Sequence, residues 1–246
     1  MKKNLVFLVL MVSSFVVTSC GDDLDVPANN KFPKKFETEN TTVNFTYNGT
    51  NQLTKIQELE SVANSKDYYI SYGENGKPNK LTTIHTVENQ STTELQVIEY
   101  VSDTQITLTS DAGLVHTITT DDKGRMLSKS SNNGTLTYSY DAQGNNVQTT
   151  ATGYTFSSVF GSTYGVFRAV NTPQWLFAYF ENQYHLYLVT NPTSSTIVQT
   201  VNNVSSTKYI TYQYPSDFMY DGYPTRIISS TTADGVTLQS LLRITY

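Results

Sequence analysis

The sequence predicts an all-β fold, an antiparallel β-meander of about twelve strands that is curled or closed like a barrel and carries a short central helix. Three observations support this prediction: a hairpin motif recurs along the chain, apolar and hydroxyl residues alternate between the turns, and one apolar segment breaks the alternation. The composition agrees, because 18 Tyr and 11 Phe accompany many Ser and Thr while only 15% of the 246 residues are charged. Aromatic and β-branched residues favour strands.

The first residues resemble a secretory signal and are set aside before the fold is considered. Lys2 and Lys3 precede an apolar run at residues 5–17, which is shorter than the ~20 residues that a membrane-spanning helix needs. Small residues then lead to Cys20, the only cysteine, in the spacing of a bacterial lipobox. We therefore predict that residues 1–19 are removed and that Cys20 is acylated. An ordinary cleaved signal with an incidental cysteine is the alternative.

Residues 20–39 are predicted to form a flexible tether between the lipid and the domain. The acidic stretch 21–25 resembles the export tag that sends lipoproteins of Bacteroidetes to the outer face of the outer membrane. A solvated acidic tether without a targeting role is the alternative. Proline, asparagine and lysine residues follow, as is typical of a stalk. We expect a lipid-anchored outer-membrane protein that faces the extracellular side, with residues 40–246 as one domain.

The charge balance argues against nucleic acid as a partner. The net charge of −5 comes from 16 Lys and Arg against 21 Asp and Glu, and no block of basic residues occurs. The expected partners are the membrane, through the lipid on Cys20, and a glycan or an envelope protein.

A hairpin motif recurs at intervals of roughly 20 to 25 residues. The typical copy has an aromatic residue, any residue, Tyr, then Asp, Asn or Gly, a short gap and Gly; the departures from the preferred residues are Gly73 and Thr120. Asp or Asn opens a turn by binding its own backbone, and Gly takes the positive φ that closes it. The five copies lie at 45–56, 69–81, 118–127, 138–145 and 218–227. The turn positions are Gly76, Gly124, Asp141, Gly144, Asp221 and Gly222.

The residues between the turns alternate strictly. Leu136, Tyr138 and Tyr140 share one strand face, while Thr and Ser residues occupy the other. Residues 105–109 and 210–214 alternate in the same way. One buried and one wet face is the pattern of an antiparallel sheet.

One segment, 171–180, is apolar on all sides and breaks this alternation. Thr172 is positioned to cap a helix, and Pro173 suits the first helical position. We predict a short buried helix that plugs an end or the interior of the sheet, with 153–168 as its irregular lead-in and 153–192 as the whole insert. A fully buried strand is the alternative.

These features together resemble a known family. The lipobox with its tether, the hairpin motif, and the segment from Asn171-Thr172-Pro173-Gln174-Trp175-Leu176-Phe177 to Thr190-Asn191-Pro192 resemble a Bacteroidetes lipoprotein family of unknown function that is described as having a porin-like fold. The resemblance covers about residues 40–246. The hairpins are also similar to the tyrosine–aspartate repeats of Rhs-type shell proteins. The family resemblance implies a barrel-like meander and no catalytic residues.

Catalytic and metal-binding patterns are absent from the sequence. His85, His116 and His185 are isolated, and no HExxH, CxxC or nucleophile motif occurs, so we expect no metal, no cofactor and no enzyme. His116 lies on the same face as Leu114 and Ile118 and is expected to be packed. A pair of glycosidase carboxylates from distant loops is the catalytic alternative.

Aromatic residues near the central segment are the candidate ligand-binding group. Tyr and Trp rings stack on sugars and peptide groups, and Trp175, Tyr179, Tyr184 and Tyr187 lie close together in sequence. The alternative is that these rings fill the core. The expected function is a non-catalytic binding or scaffolding module for a glycan or protein ligand. The alternatives are a structural spacer or partner subunit, a glycan-processing enzyme, and a membrane-spanning barrel, which the aromatic-ended strand 238–246 resembles.

Overall fold

The computed structural model describes residues 30–61, 63–180 and 184–246, and within these residues sixteen antiparallel strands form one closed barrel. The all-β, closed-barrel prediction is therefore confirmed, and the predicted number of about twelve strands was wrong. The predicted signal peptide, Cys20 and the first part of the tether lie outside the described residues.

The strands, in chain order, are β1 (Lys35–Glu37), β2 (Thr42–Tyr47), β3 (Leu53–Leu59), β4 (Ser65–Tyr72), β5 (Pro78–Val87), β6 (Gln90–Tyr100), β7 (Gln105–Ser110), β8 (Val115–Thr120), β9 (Met126–Ser131), β10 (Gly134–Tyr140), β11 (Asn146–Ala151), β12 (Tyr154–Tyr164), β13 (Thr190–Val201), β14 (Val204–Gln213), β15 (Met219–Tyr220), β16 (Tyr223–Pro224), β17 (Arg226–Ala233) and β18 (Val236–Thr245). The helix α1 spans Gln174–Tyr179, and 3₁₀ turns span Tyr184–Tyr187 and Ser216–Phe218.

The barrel is a meander in which each strand pairs with its neighbours in the chain, except that β14 pairs with β17 and β1 pairs with β18. The β1–β18 pairing closes the barrel and sets Phe36 opposite Ile244. Closure removes the exposed edges that an open sheet would present to other chains.

The chain joins the barrel earlier than the predicted tether allows. Phe36 is buried on β1, Phe32 packs on Tyr47 with 5.7 Å between ring centroids, and Lys31 Nζ pairs with Asp221 at 3.2 Å. The predicted tether end at residue 39 was therefore too late. The lysines and the proline of this segment suggested a flexible stalk, but the packed rings of Phe32 and Phe36 attach it to the barrel.

Four of the five predicted hairpin turns gather at one end of the barrel, called here the motif rim. They join β2 to β3, β4 to β5, β8 to β9 and β10 to β11. Gly76, Gly124 and Gly144 have φ values of 72°, 73° and 95°, which residues with a side chain rarely adopt. Asp141 accepts the Asn145 N–H on Oδ1 at 2.8 Å. Because each repeat contains two strands, the motif returns to the same rim.

The fifth predicted hairpin lies outside the barrel sheet. Asp221 and Gly222, with φ values of 50° and 83°, form the turn of the two-stranded ribbon β15–β16. A Cβ added at Gly222 would lie 2.7 Å from the Tyr164 ring, so the position is closed to larger residues.

The turns at the opposite end, called here the open rim, account for the missed strands. Residues 88–89, 202–203 and 234–235 have positive φ at both positions, as in type I′ hairpin turns. These turns lack the aromatic motif, so the sequence pattern did not reveal them. The strands that they join are also long, and β13 has 12 residues.

The central segment packs inside the barrel as α1. Trp175, Leu176 and Phe177 are at most 2% exposed and belong to the same core as the inward side chains of the strands. Thr172 does not cap the helix: Pro173 takes the capping position, and the Thr172 hydroxyl accepts the Leu53 N–H at 2.8 Å. No helix in the described part of the chain is long and apolar enough to cross a membrane.

The predicted irregular lead-in at 153–168 was wrong over most of its length. Its residues 154–164 form β12, which pairs with both β11 and β13. Aromatic and hydroxyl residues alternate from Tyr154 to Ser157 as in the other strands, but the adjacent Ser157 and Ser158 and the register shifts after Val159 interrupt this periodicity.

The outer wall of the barrel is rich in hydroxyl groups. Cross-strand pairs on this wall join Thr137 to Thr150 at 2.6 Å and Thr232 to Thr237 at 2.8 Å, in each case between Oγ1 atoms. The inward positions of the same strands hold most of the apolar residues. The barrel is therefore apolar inside and polar outside over most of its surface.

Replacing Asp141 should test the turn mechanism. Its carboxylate accepts two hydrogen bonds from Asn145, which in turn accepts the Thr190 N–H at 3.0 Å. Asp141→Ala should lower the free energy of unfolding by about 1–3 kcal/mol, measured by urea denaturation with an unchanged slope. Asp122→Ala, at an exposed position of another motif-rim turn, is the control and should change it by less than about 0.5 kcal/mol. Equal losses in the two variants would contradict this account.

Candidate functional site

The inward side chains change character between the two rims. Along β6 they pass from Glu94 and Gln96 to Ile98 as the strand approaches the motif rim, and along β8 from His116 to Ile118. Ile98 and Ile118 are buried in the core. On these two strands the inward side chains are thus apolar towards the motif rim and polar towards the open rim.

Two of the hollows towards the open rim are together called the cup. The His116 hollow measures about 200 Å³ and the His185 hollow about 300 Å³. The first is lined by Lys66, Thr83, Glu94, Gln96, His116 and Tyr179. The second is lined by Leu136, Tyr138, Thr149, Tyr154, Phe156 and His185. Lys129 and Phe180 line both hollows, which are therefore adjacent.

Tyr179, the last residue of α1, is held in the His116 hollow by a chain of contacts. Its hydroxyl donates to Gln96 Oε1 at 3.1 Å, and Gln96 Nε2 donates to Glu94 Oε1 at 3.1 Å. The His116 ring meets the Tyr179 ring edge-on at 5.7 Å, and Lys129 Nζ lies 4.9 Å from the ring centroid. Contacts with protein groups thus fix the ring orientation from several sides.

The electrostatics of the His116 hollow favour a neutral imidazole. Burial lowers the pKa of His116, and the nearby Lys129 ammonium lowers it further, while Glu94 acts in the opposite direction. The packed position predicted for His116 agrees with its half-buried place opposite Leu108.

The His185 hollow has largely aromatic walls. The 3₁₀ turn Tyr184–Tyr187 presents the imidazole to the Tyr138 ring in an edge-on contact at 6.0 Å. Both imidazole nitrogens of His185 are buried, and neither has a hydrogen-bond partner among the described residues. Burial lowers the pKa of His185 to about 4, so the ring is uncharged at neutral pH.

The four aromatic residues predicted to bind a ligand do not form one surface. Trp175 is 2% exposed and meets the edge of the Tyr100 ring at 6.5 Å. Tyr184 is buried and donates to Glu58 Oε1 at 2.8 Å. Tyr187 packs against the core, where burial raises its pKa. Tyr179 alone among them lines a hollow. Ligand binding by this group stays a prediction.

Several residues of the cup were missed by the sequence reasoning. Gln96 and Glu94 share the strand face of Ile98, so polar residues at apolar positions were a visible signal. Lys129 pairs with Ile118 and Leu136 on the inward face, but a register irregularity between β8 and β9 hides its parity. The sequence around His185 has no strand alternation against which a polar residue would stand out.

Metal binding has no geometric support in the described residues, where no three His, Cys, Asp or Glu side chains are grouped to hold an ion. His85 is exposed on β5 near the open rim, apart from His116 and His185.

Comparisons with known proteins find structural likeness without sequence kinship. No protein-family model matches this sequence, and no curated protein matches it. A porin-like protein from Bacteroides vulgatus is 14% identical, with 88% of this chain and 99% of that chain covered and a TM-score of 0.42. A porin-like protein from Bacteroides uniformis is also 14% identical, with 88% and 98% covered and a TM-score of 0.39. Membership of the lipoprotein family stays a prediction.

The buried His185 should make stability depend on pH in the acid range. Its pKa is lowered from 6.5 to about 4 in the folded protein, so the unfolded chain binds the proton first as the pH falls. This contribution to the free energy of unfolding is present above pH 6.5 and is lost towards pH 4. The wild type should therefore lose more stability over this range than His185→Phe, in denaturation curves measured at several pH values.

The comparison with His185→Phe isolates this group from the carboxylates, which titrate equally in both proteins. Tyr138 and Tyr154, which line the same hollow, have pKa values raised by burial and do not titrate in this range. Parallel stability curves for the two proteins would refute the role of His185.

Proposed function

We propose that this protein is a non-catalytic binding module, displayed on the outer membrane by a lipid on Cys20, that holds a sugar unit of a glycan in its cup. The observation that supports this most directly is Tyr179, an aromatic ring fixed among hydrogen-bonding groups at the boundary between the filled core and the cup. An aromatic face beside a few oriented polar groups is the usual composition of a small-ligand site.

Burying polar side chains in the cup lowers the stability of the fold unless these side chains are hydrogen-bonded. Gln96 is 5% exposed, and a buried amide lowers stability unless its hydrogen bonds are made. The adjacent inward positions, Ile98 and Leu108, show that apolar residues suit this interior. Polar groups that break the local rule without improving packing are expected at functional sites.

The mixture of charges in the cup favours an uncharged ligand. Lys66 and Lys129 line the His116 hollow together with Glu94, so an ion of either sign would meet a like charge there. The imidazoles of His116 and His185 are both shifted towards the neutral form. Hydroxyl groups, which donate and accept equally well, suit such a lining better than a carboxylate or a phosphate does.

The outer wall supports display at the membrane surface over insertion into the bilayer. A membrane-spanning barrel presents an apolar band to lipid and keeps polar groups inside. This barrel has the opposite distribution, with Thr pairs outside and the Trp175 core inside. An N-terminal lipid is the attachment that such a barrel needs.

A second candidate function is a partner subunit of an envelope complex. Apolar side chains are exposed around the turns of the open rim, with Val201, Val204, Val236 and Leu238 between 61% and 72% exposed. A protein seated on this rim would bury them. Purification of the lipidated chain in mild detergent would then recover a second protein in a stoichiometric amount. The chain would not be retained on glycans.

Replacing Tyr179 should test glycan binding. The mature lipidated chain in detergent should be retained by at least one glycan of a polysaccharide array, and Tyr179→Ala should weaken that binding by about tenfold or more, because the fixed ring face is lost. Tyr209→Ala, at an outer-wall tyrosine that is 58% exposed, is the matched control and should bind normally.

Two results would overturn the binding proposal: no retention of the wild type on any glycan, or equal weakening by the two variants. Trp175 is a poor probe, because removing a fully buried aromatic side chain costs about 3–5 kcal/mol of stability and would confound the result.

Replacing Cys20 should test the anchor. Cys20→Ser removes the acylated thiol, so the protein should lose its fatty-acid label and move from the membrane fraction to the soluble fraction. Ser19→Ala, which keeps a small residue before the cysteine, should behave like the wild type. A Cys20→Ser protein that stays in the membrane fraction would rule out lipid anchoring at this residue.

A further inference from the structure

The described chain enters the barrel at the motif rim. The Tyr47 hydroxyl donates to the Pro33 carbonyl at 2.8 Å, and Tyr47 is the last residue of β2 before a motif-rim turn. Lys31 is held beside the Asp221 turn, with its Nζ 3.2 Å from the carboxylate and 4.2 Å from the Tyr220 ring centroid. Residues 31–33 are thus fixed at the rim that lies opposite the cup.

We infer that, in the anchored protein, the motif rim is the surface that faces the lipid head groups and the cup opens away from the membrane. The inference rests on the proposed lipid at Cys20. It adds an orientation that lipidation alone does not give, because it follows from the place where the chain leaves the barrel.

The length of the intervening chain limits the alternatives. Residues 20–29 span at most about 36 Å when fully extended, at ~3.6 Å per residue. A barrel with strands as long as β13 is roughly 30 Å tall, given ~3.3 Å per residue and a strand tilt of about 40°. An inverted barrel would stretch the tether along nearly its full height, whereas the upright orientation leaves the tether slack. The entropy of the chain therefore favours the upright orientation.

The charges of the two rims favour the same orientation. The open rim exposes the carboxylates of Glu39, Glu60, Glu88, Asp111 and Asp234. The motif rim also exposes carboxylates, at Glu74, Asp103, Asp122 and Asp217, but exposed lysines accompany them there, at Lys34, Lys77 and Lys123. The Lys31–Asp221 and Arg125–Asp121 ion pairs lie at this rim as well. An anionic lipid surface repels the first rim more than the second.

The orientation sets the class of ligand that reaches the cup. A cup turned towards the medium meets the ends of extracellular chains, and lipid head groups of its own membrane cannot enter it. The uncharged, hydroxyl-rich unit proposed above would then reach the cup as part of a soluble glycan or of a glycan on a neighbouring molecule.

The test uses two reporter positions at opposite ends of β10. Asn132 is exposed in the open-rim turn before this strand, and Ala142 is exposed in the motif-rim turn after it. Because Cys20 is the only native cysteine and carries the lipid, Asn132→Cys and Ala142→Cys each offer a single thiol for a fluorophore. Each lipidated, labelled protein is incorporated into vesicles of phosphatidylethanolamine and phosphatidylglycerol that contain a head-group-labelled quencher.

We expect a large loss of fluorescence at Ala142→Cys and a much smaller loss at Asn132→Cys. Equal quenching, which a barrel lying on its side would give, or stronger quenching at Asn132→Cys would overturn the orientation. Failure of both proteins to float with the vesicles would instead overturn the anchor proposal itself. Matching thermal unfolding of the two labelled proteins and the wild type establishes that the reporters leave the fold intact.

Discussion

The structure depends on one geometric constraint: sixteen strands enclose more space than their own inward side chains can fill. A barrel of about eight strands is filled by its side chains, and one of sixteen leaves room for a channel. Here the segment between β12 and β13 supplies the missing volume, with Trp175, Leu176 and Phe177 packed against inward residues from strands around the barrel. The segment is tied to the motif rim, where Trp175 N–H donates to the Gly124 carbonyl at 3.2 Å and Asn171 N–H to the Asn51 carbonyl at 3.0 Å. The cup is the volume that this plug leaves empty.

The repeated hairpin follows from the same architecture. Asp141 and Gly144 make a turn, and the two strands of each repeat bring the next turn back to the motif rim. Because the motif turns share one rim with the entry of α1 and with the start and end of the barrel chain at Lys35 and Thr245, the opposite rim is left free of these connections. The repeat thus builds the architecture, and the interruption of the repeat creates the candidate site.

The sequence predicted the features that depend on local chemistry. The alternation of Leu136, Tyr138 and Tyr140, the glycine turns and the buried helix could all be read from neighbouring residues. The strand number could not, because turns such as Asn202-Asn203 adopt positive φ without a glycine or an aromatic signal. The cup was also out of reach, since it depends on how far a six-residue helix fills a barrel whose width is set by the number of strands.

The fate of the four predicted aromatics shows where function is to be sought in such a barrel. Trp175 and Tyr184 contribute their rings to the core, so they are needed for the fold before they are available to any ligand. Tyr179 lies one helical turn beyond Trp175, at the end of α1, and there the same element passes from apolar neighbours to Gln96, His116 and Lys129. A single short helix therefore completes the core and lines the cup, because its first turn packs in the core and its last residue, Tyr179, faces the cup. A change at Tyr179 that leaves the packing of the plug intact would therefore alter the lining of the cup without altering the barrel, so the candidate site is separable from the fold.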